Sequence, residues 1–116
     1  MTDNRLIRQS QLIAPALQQA VVLIVGLGML GSWLAAGFAR CAHQVIGIDF
    51  DYVDRENLGT QLYSENDIGE AKAVALSVTL DGFPFAPVVS KFHPSYDPLI
   101  GPNHRLIVVS AVDSFA

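Results

Sequence analysis

From Val21 to Gly31 the chain reads VVLIVGLGMLG, and from Val45 to Asp51 it reads VIGIDFD. A short run of β-branched and aliphatic residues breaks into Gly26-x-Gly28-x-x-Gly31, passes into a helical segment and re-emerges as an apolar strand ending on Asp49. That order is a phosphate-binding βαβ unit in sequence form. The first two glycines let the backbone turn tightly and approach a phosphate, and the third lets the following helix pack closely on the strand. Phosphate oxygens then sit at the helix N-terminus, where unpaired N–H groups and the macrodipole favour negative charge. Asp49 would reach the ribose hydroxyls.

The run from Ala20 to Ala39 carries no charged residue and is long enough to suggest a membrane span. Gly26, Gly28, Gly31 and Gly37 argue against it, since each would cost a helix about 1 kcal/mol relative to alanine. A strand, a turn and a buried helix explain the run. Asp3, Arg5 and Arg8 are followed by no short apolar core with a small-residue cleavage site, so no signal peptide is expected and the chain reads as cytoplasmic. With 116 residues and 51% hydrophobic content, residues 1–116 form a single domain rich enough to bury a core. A net charge of −4 offers no basic field for nucleic acid. The single cysteine, Cys41, excludes an intramolecular disulfide and any Cys-x-x-Cys zinc site.

Along the chain, Gln9 to Ala20 reads as a short N-terminal helix despite Pro15, and Val21 to Val25 as the first strand. Met29 to Arg40 is the first crossover helix, with Leu30, Trp33, Leu34 and Phe38 as apolar anchors and Trp33 expected in the core. Gln44 to Asp49 is the second strand. Phe50 to Gly69 makes a long irregular connection, a kind usually functional or disordered, and a functional role is expected. Glu70 to Leu80 is the second helix, with Ala71, Val74, Ala75 and Val78 on its buried face. Strands at Val88 to Phe92 and Arg105 to Ser110 follow. Alternating strands and helices imply a Rossmann-like α/β fold, a parallel sheet of order 3-2-1-4 with right-handed crossovers. Both crossover helices then fall on one face. Because parallel sheets usually need both faces covered, the second is covered by the N-terminal helix, by another subunit or by further chain, and a dimer is expected.

Six ordered elements carry a resemblance that spans nearly the whole chain. They are Arg5-Leu6-Ile7-Arg8-Gln9, Gly26-x-Gly28-x-x-Gly31, Asp49-Phe50-Asp51, Asn57-Leu58-Gly59-Thr60-Gln61, Asp67 to Lys72, and Ala111-Val112-Asp113-Ser114. Together they resemble the ubiquitin-activating-enzyme superfamily, the HesA/MoeB/ThiF adenylyltransferases. Two departures stand out. Thr60 occupies the position where the family usually has a phosphate-contacting arginine, and the chain stops before the family's usual C-terminal half.

The resemblance implies ATP-dependent adenylation of the C-terminal carboxylate of a ubiquitin-like or sulfur-carrier protein. Such a step is mostly positioning and charge stabilisation. Gly26, Gly28 and Gly31 would hold phosphates, and Asp49 the ribose. Asp113 would be the magnesium ligand, assisted by Asp51, because a hard cation takes carboxylate oxygen. Lys72 and Arg8 would contact phosphates, Arg8 coming from the other subunit of a homodimer. A cation in the first turn of a helix opposes the macrodipole, so an anionic partner makes sense of Lys72, against the plain reading of an exposed lysine. Asn57 and Gln61 can donate to phosphate and accept from ribose, or simply satisfy turn backbone.

Cys41 is expected as buried structure. His43, His93 and His104 form no metal-ligand spacing. Two other readings compete: a NAD-binding domain of an oxidoreductase, which the glycine pattern and Asp49 fit equally well, and a noncatalytic scaffold of the same fold.

Overall fold

The computed structural model of the chain describes residues 15–98 and 100–112. The sequence-predicted Arg5, Arg8, Gln9 and Asp113 lie outside them. The elements are α1 (Pro15–Gln18), β1 (Ala20–Val25), α2 (Met29–Ala39), β2 (Gln44–Asp49), α3 (Lys72–Thr79), β3 (Phe85–Val89) and β4 (Arg105–Ser110). Short 3-10 turns at Arg55–Asn57 and Glu65–Asp67 punctuate the connection between β2 and α3. The four strands form one parallel sheet in the order β3-β2-β1-β4, the order expected from the alternation of elements.

β1 is the central strand and is buried along its whole length. Its alternate residues serve two separate clusters, as the pleat requires. Val22 and Ile24 pack with Ala35 and Ala39 of α2 and with Ala73 and Leu76 of α3. Val21, Leu23 and Val25 pack on the opposite face with Ile46 and Ile48, against which Ile100 and Val112 also lie. Each such side chain contributes about 1.5–3 kcal/mol of burial energy. Both crossover helices therefore share one face, as right-handed connections dictate. Leu17 of α1 packs on that same helix-side cluster, so the described part of the N-terminal helix is no cover for the second face. β4 closes one side of the sheet with Leu106, Ile107 and Val108 all exposed.

Four expectations need correction. Trp33 and Leu30 are 54% and 58% exposed instead of anchoring α2; Leu34 and Phe38 do pack, partly buried, on the core. The reason is the close approach demanded by the third glycine: α2 turns Gly31, Ser32, Ala35 and Ala39 toward the sheet, which leaves the bulky residues outside. In α3, Ala71 and Ala75 are buried as expected, but Val74 and Val78 face out, and Ala73, Leu76 and Leu80 fill the rest of the buried face.

β3 runs from Phe85 to Val89, earlier than the predicted Val88 to Phe92. The strand takes in Pro87, which is tolerated because β3 is an edge strand, where a missing N–H costs no ladder bond. Cys41 is only partly buried, its thiol 3.6 Å from the Gly37 carbonyl, and what burial it has pushes its pKa up. Among the described residues no helix is long and apolar enough to cross a membrane.

Candidate functional site

Register places the carboxyl ends of the strands side by side: Val25 pairs with Ile48 and Ser110, and Asp49 with Val89. Ligands of open α/β sheets bind beyond these ends, where successive strands leave in opposite directions. Here the reversal falls between β1 and β4, at the glycine turn. Gly26 adopts φ +96, a conformation that side chains rarely tolerate, and an added Cβ would fall 2.9 Å from the Ala111 carbonyl oxygen. Its N–H donates to the Ile48 carbonyl at 2.9 Å, which ties the turn to β2.

Asp49 completes that tie. One carboxylate oxygen accepts the Leu27 N–H and the other the Asp51 N–H, each at 2.7 Å. Charge-assisted bonds of this kind are about twice as strong as neutral ones. Each oxygen keeps a further lone pair for a ligand hydroxyl.

Gly26, Gly28, Asp49, Asp51 and Lys72 line one cavity of about 500 Å³, walled on the other side by Ala111 and Val112 at the end of β4. Lys72 is not the exposed surface lysine of the plainer reading: it is 7% exposed, at the first position of α3, with its N–H donating to the Asp51 carbonyl at 3.0 Å. Among the described residues it makes no ion pair; the pair seen there joins Arg55 to Glu65 at 3.9 Å on the surface.

Three other predicted site residues stand outside the cavity lining. Gly31 lies beneath the turn, where a Cβ would come 1.7 Å from the Gly26 carbonyl oxygen, so its part is packing. Asn57 caps a 3-10 turn, its side-chain oxygen accepting the Asp54 N–H at 2.9 Å. Gln61 has a buried side-chain oxygen that meets no hydrogen-bond partner among the described residues. Thr60 is exposed, and its carbonyl accepts the Trp33 indole N–H at 2.9 Å. Asp113 follows directly on the cavity-lining Val112 but is outside the described residues, so the proposed magnesium ligand has no geometry here. Among the described residues no three His, Cys, Asp or Glu side chains converge as a metal site.

Sequence reasoning missed three contributors. Phe50 and Lys91 both line the cavity, the Lys91 ammonium 5.3 Å from the ring centre. Phe50 sat unremarked between two acids, and Lys91 followed a strand whose position was misjudged. Tyr63 is buried in the connection between β2 and α3, and its hydroxyl donates to the Leu27 carbonyl at 2.6 Å. Burial first, and then the nearby Asp49 and Asp67 carboxylates, push its pKa far above the ordinary tyrosine value. It therefore remains a donor throughout the neutral range.

The adenylyltransferase and sulfurtransferase MOCS3 of Xenopus laevis is 33% identical over 127 aligned residues, which take in 100% of this chain and 27% of that protein. The tRNA N6-threonylcarbamoyladenosine dehydratase TcdA of E. coli, solved in complex with ATP, superposes with a TM-score of 0.55 and 26% identity over 88% of this chain and 34% of its own. E. coli MccB, solved with MccA-N7isoASN, gives a TM-score of 0.61 and 25% identity over 78% of this chain and 27% of its own. The chain thus spans only about a quarter to a third of the length of these relatives. The ThiF family pattern matches residues 6–116, so the Rossmann-like sheet and its glycine turn identify this chain as a member of the ThiF family.

Proposed function

We propose that the chain binds ATP with magnesium in the cavity at the strand ends and serves adenylation of the C-terminal carboxylate of a ubiquitin-like or sulfur-carrier protein. The convergence of Gly26, Gly28, Asp49, Asp51 and the buried Lys72 on that one cavity carries the reading. Lys72 is a buried residue that makes no ion pair among the described residues, so an anion at the cavity would stabilise its charge, and a polyphosphate is such an anion. In the reaction a carboxylate oxygen attacks the α-phosphorus and pyrophosphate leaves.

The turn at Gly28 holds phosphate oxygens at the start of α2, Asp49 takes a ribose hydroxyl on its remaining lone pairs, and Lys72 neutralises phosphate charge. Magnesium supplies charge neutralisation on the phosphates. The exposed Asp51 at the cavity, with Asp113, fits the one or two carboxylates this ion takes from a protein when phosphates and water supply the rest. Arg8 of a second copy completes the charge.

The test is incubation of the chain with magnesium ATP and a candidate carrier protein, followed by assay of pyrophosphate. Release that depends on the carrier's C-terminal carboxylate is the expected result. ATP binding without release would instead make the chain a nucleotide-binding scaffold, consistent with Thr60 in place of the family's arginine.

A further inference from the structure

Leu27 sits between the two glycines of the turn and is held from both sides. Its N–H donates to Asp49, and its carbonyl accepts the Tyr63 hydroxyl at 2.6 Å, both partners coming from β2 or the connection beyond it. The Leu27 carbonyl and the Gly28 N–H belong to one peptide unit, and in a trans peptide these groups point in opposite directions. No cis peptide occurs among the described residues. A carbonyl drawn toward buried Tyr63 therefore turns the Gly28 N–H away from the protein interior. Gly28 lines the cavity, and among the described residues its N–H meets no acceptor.

We infer that Tyr63 is a positioning residue, which fixes the Leu27–Gly28 peptide plane so that the Gly28 N–H is aimed at the ligand's phosphates. Tyr63 touches no ligand itself. It acts through one peptide plane, and it spares that plane the reorientation that phosphate binding would otherwise require. Ser32 and Trp33 steady the same connection: Ser32, fully buried, accepts the Leu62 N–H at 3.1 Å, one residue from Tyr63. The inference rests on the nucleotide reading above.

The experiment compares wild type and Tyr63→Phe in titrations with magnesium ATP and with adenosine. Loss of the hydroxyl is expected to weaken ATP roughly tenfold or more while leaving adenosine within about twofold, since only ATP uses the phosphate donor. Equal weakening of both, or no change in either, would overturn the role. A second readout needs no variant. In wild type the Gly28 amide proton should exchange rapidly with solvent and become protected on addition of magnesium ATP, and exchange indifferent to bound ATP would also overturn it. A wild type that binds adenosine but not ATP, or neither, counts against the nucleotide reading and not against the peptide geometry, which is then judged by the Gly28 amide nitrogen shift. That shift should differ between wild type and Tyr63→Phe without ligand; an identical shift would overturn the role.

Discussion

Gly31→Ala is expected to be the most damaging single-methyl change in the described chain, lowering stability by about 3 kcal/mol or more. An added Cβ would lie 1.7 Å from the Gly26 carbonyl oxygen and 2.8 Å from its carbon, and neither is the movable tip of a side chain. Relief requires α2 to lift from β1, which opens the contacts of Ser32, Ala35 and Ala39 with the sheet and moves the turn that lines the cavity. Thermal unfolding should show a midpoint lower by roughly 10 °C or more, with nucleotide binding weakened as well. The control is Gly37→Ala in the same helix. A Cβ there meets nothing within 4 Å, so the change should raise stability by about 0.5–1 kcal/mol through helix propensity alone. Equal effects of the two substitutions would mean that helix propensity, and not close packing, explains the third glycine.

Lys72→Met is expected to separate stability from binding in opposite directions. The side chain is buried at the first turn of α3, where an ammonium opposes the helix dipole, and among the described residues no carboxylate pairs with it. A methionine of similar length removes the charge and keeps the packing, so stability should rise by about 0.5–1 kcal/mol. ATP affinity should fall roughly 10- to 100-fold, the loss expected of a charge-assisted contact. Sites that hold a charge for a ligand commonly show this trade between stability and function. A variant that is less stable and binds ATP unchanged would assign Lys72 to the scaffold.

The sheet order and the glycine turn were legible because they rest on local patterns: apolar runs, glycines at fixed spacing and an acid at a strand end. Helix phase was not. Trp33 looked like a core residue on spacing alone, yet the close contact at Gly31 admits only small side chains beneath α2. The same constraint was present in the sequence, in Gly31, Ser32, Ala35 and Ala39, and outweighs hydrophobicity when strand and helix nearly touch. β3 begins earlier than expected and takes in Pro87, which a strand tolerates only at the edge of the sheet, a position that no local pattern reveals. Asp49 and Lys72, singled out from the sequence, both line the cavity. The connection between β2 and α3 was expected to be functional, but Tyr63 was not singled out, since its hydrogen bond reaches across 36 residues of chain. Asn57 shows the reverse, a family-matched residue whose oxygen serves its own turn.

The most direct test is calorimetric titration of the purified chain with magnesium ATP and, separately, with NAD, repeated on Lys72→Met. Saturable binding of ATP that the substitution weakens is the predicted result. Saturable binding of NAD that ignores Lys72, with no response to ATP, would contradict it and return the cavity to the dinucleotide reading.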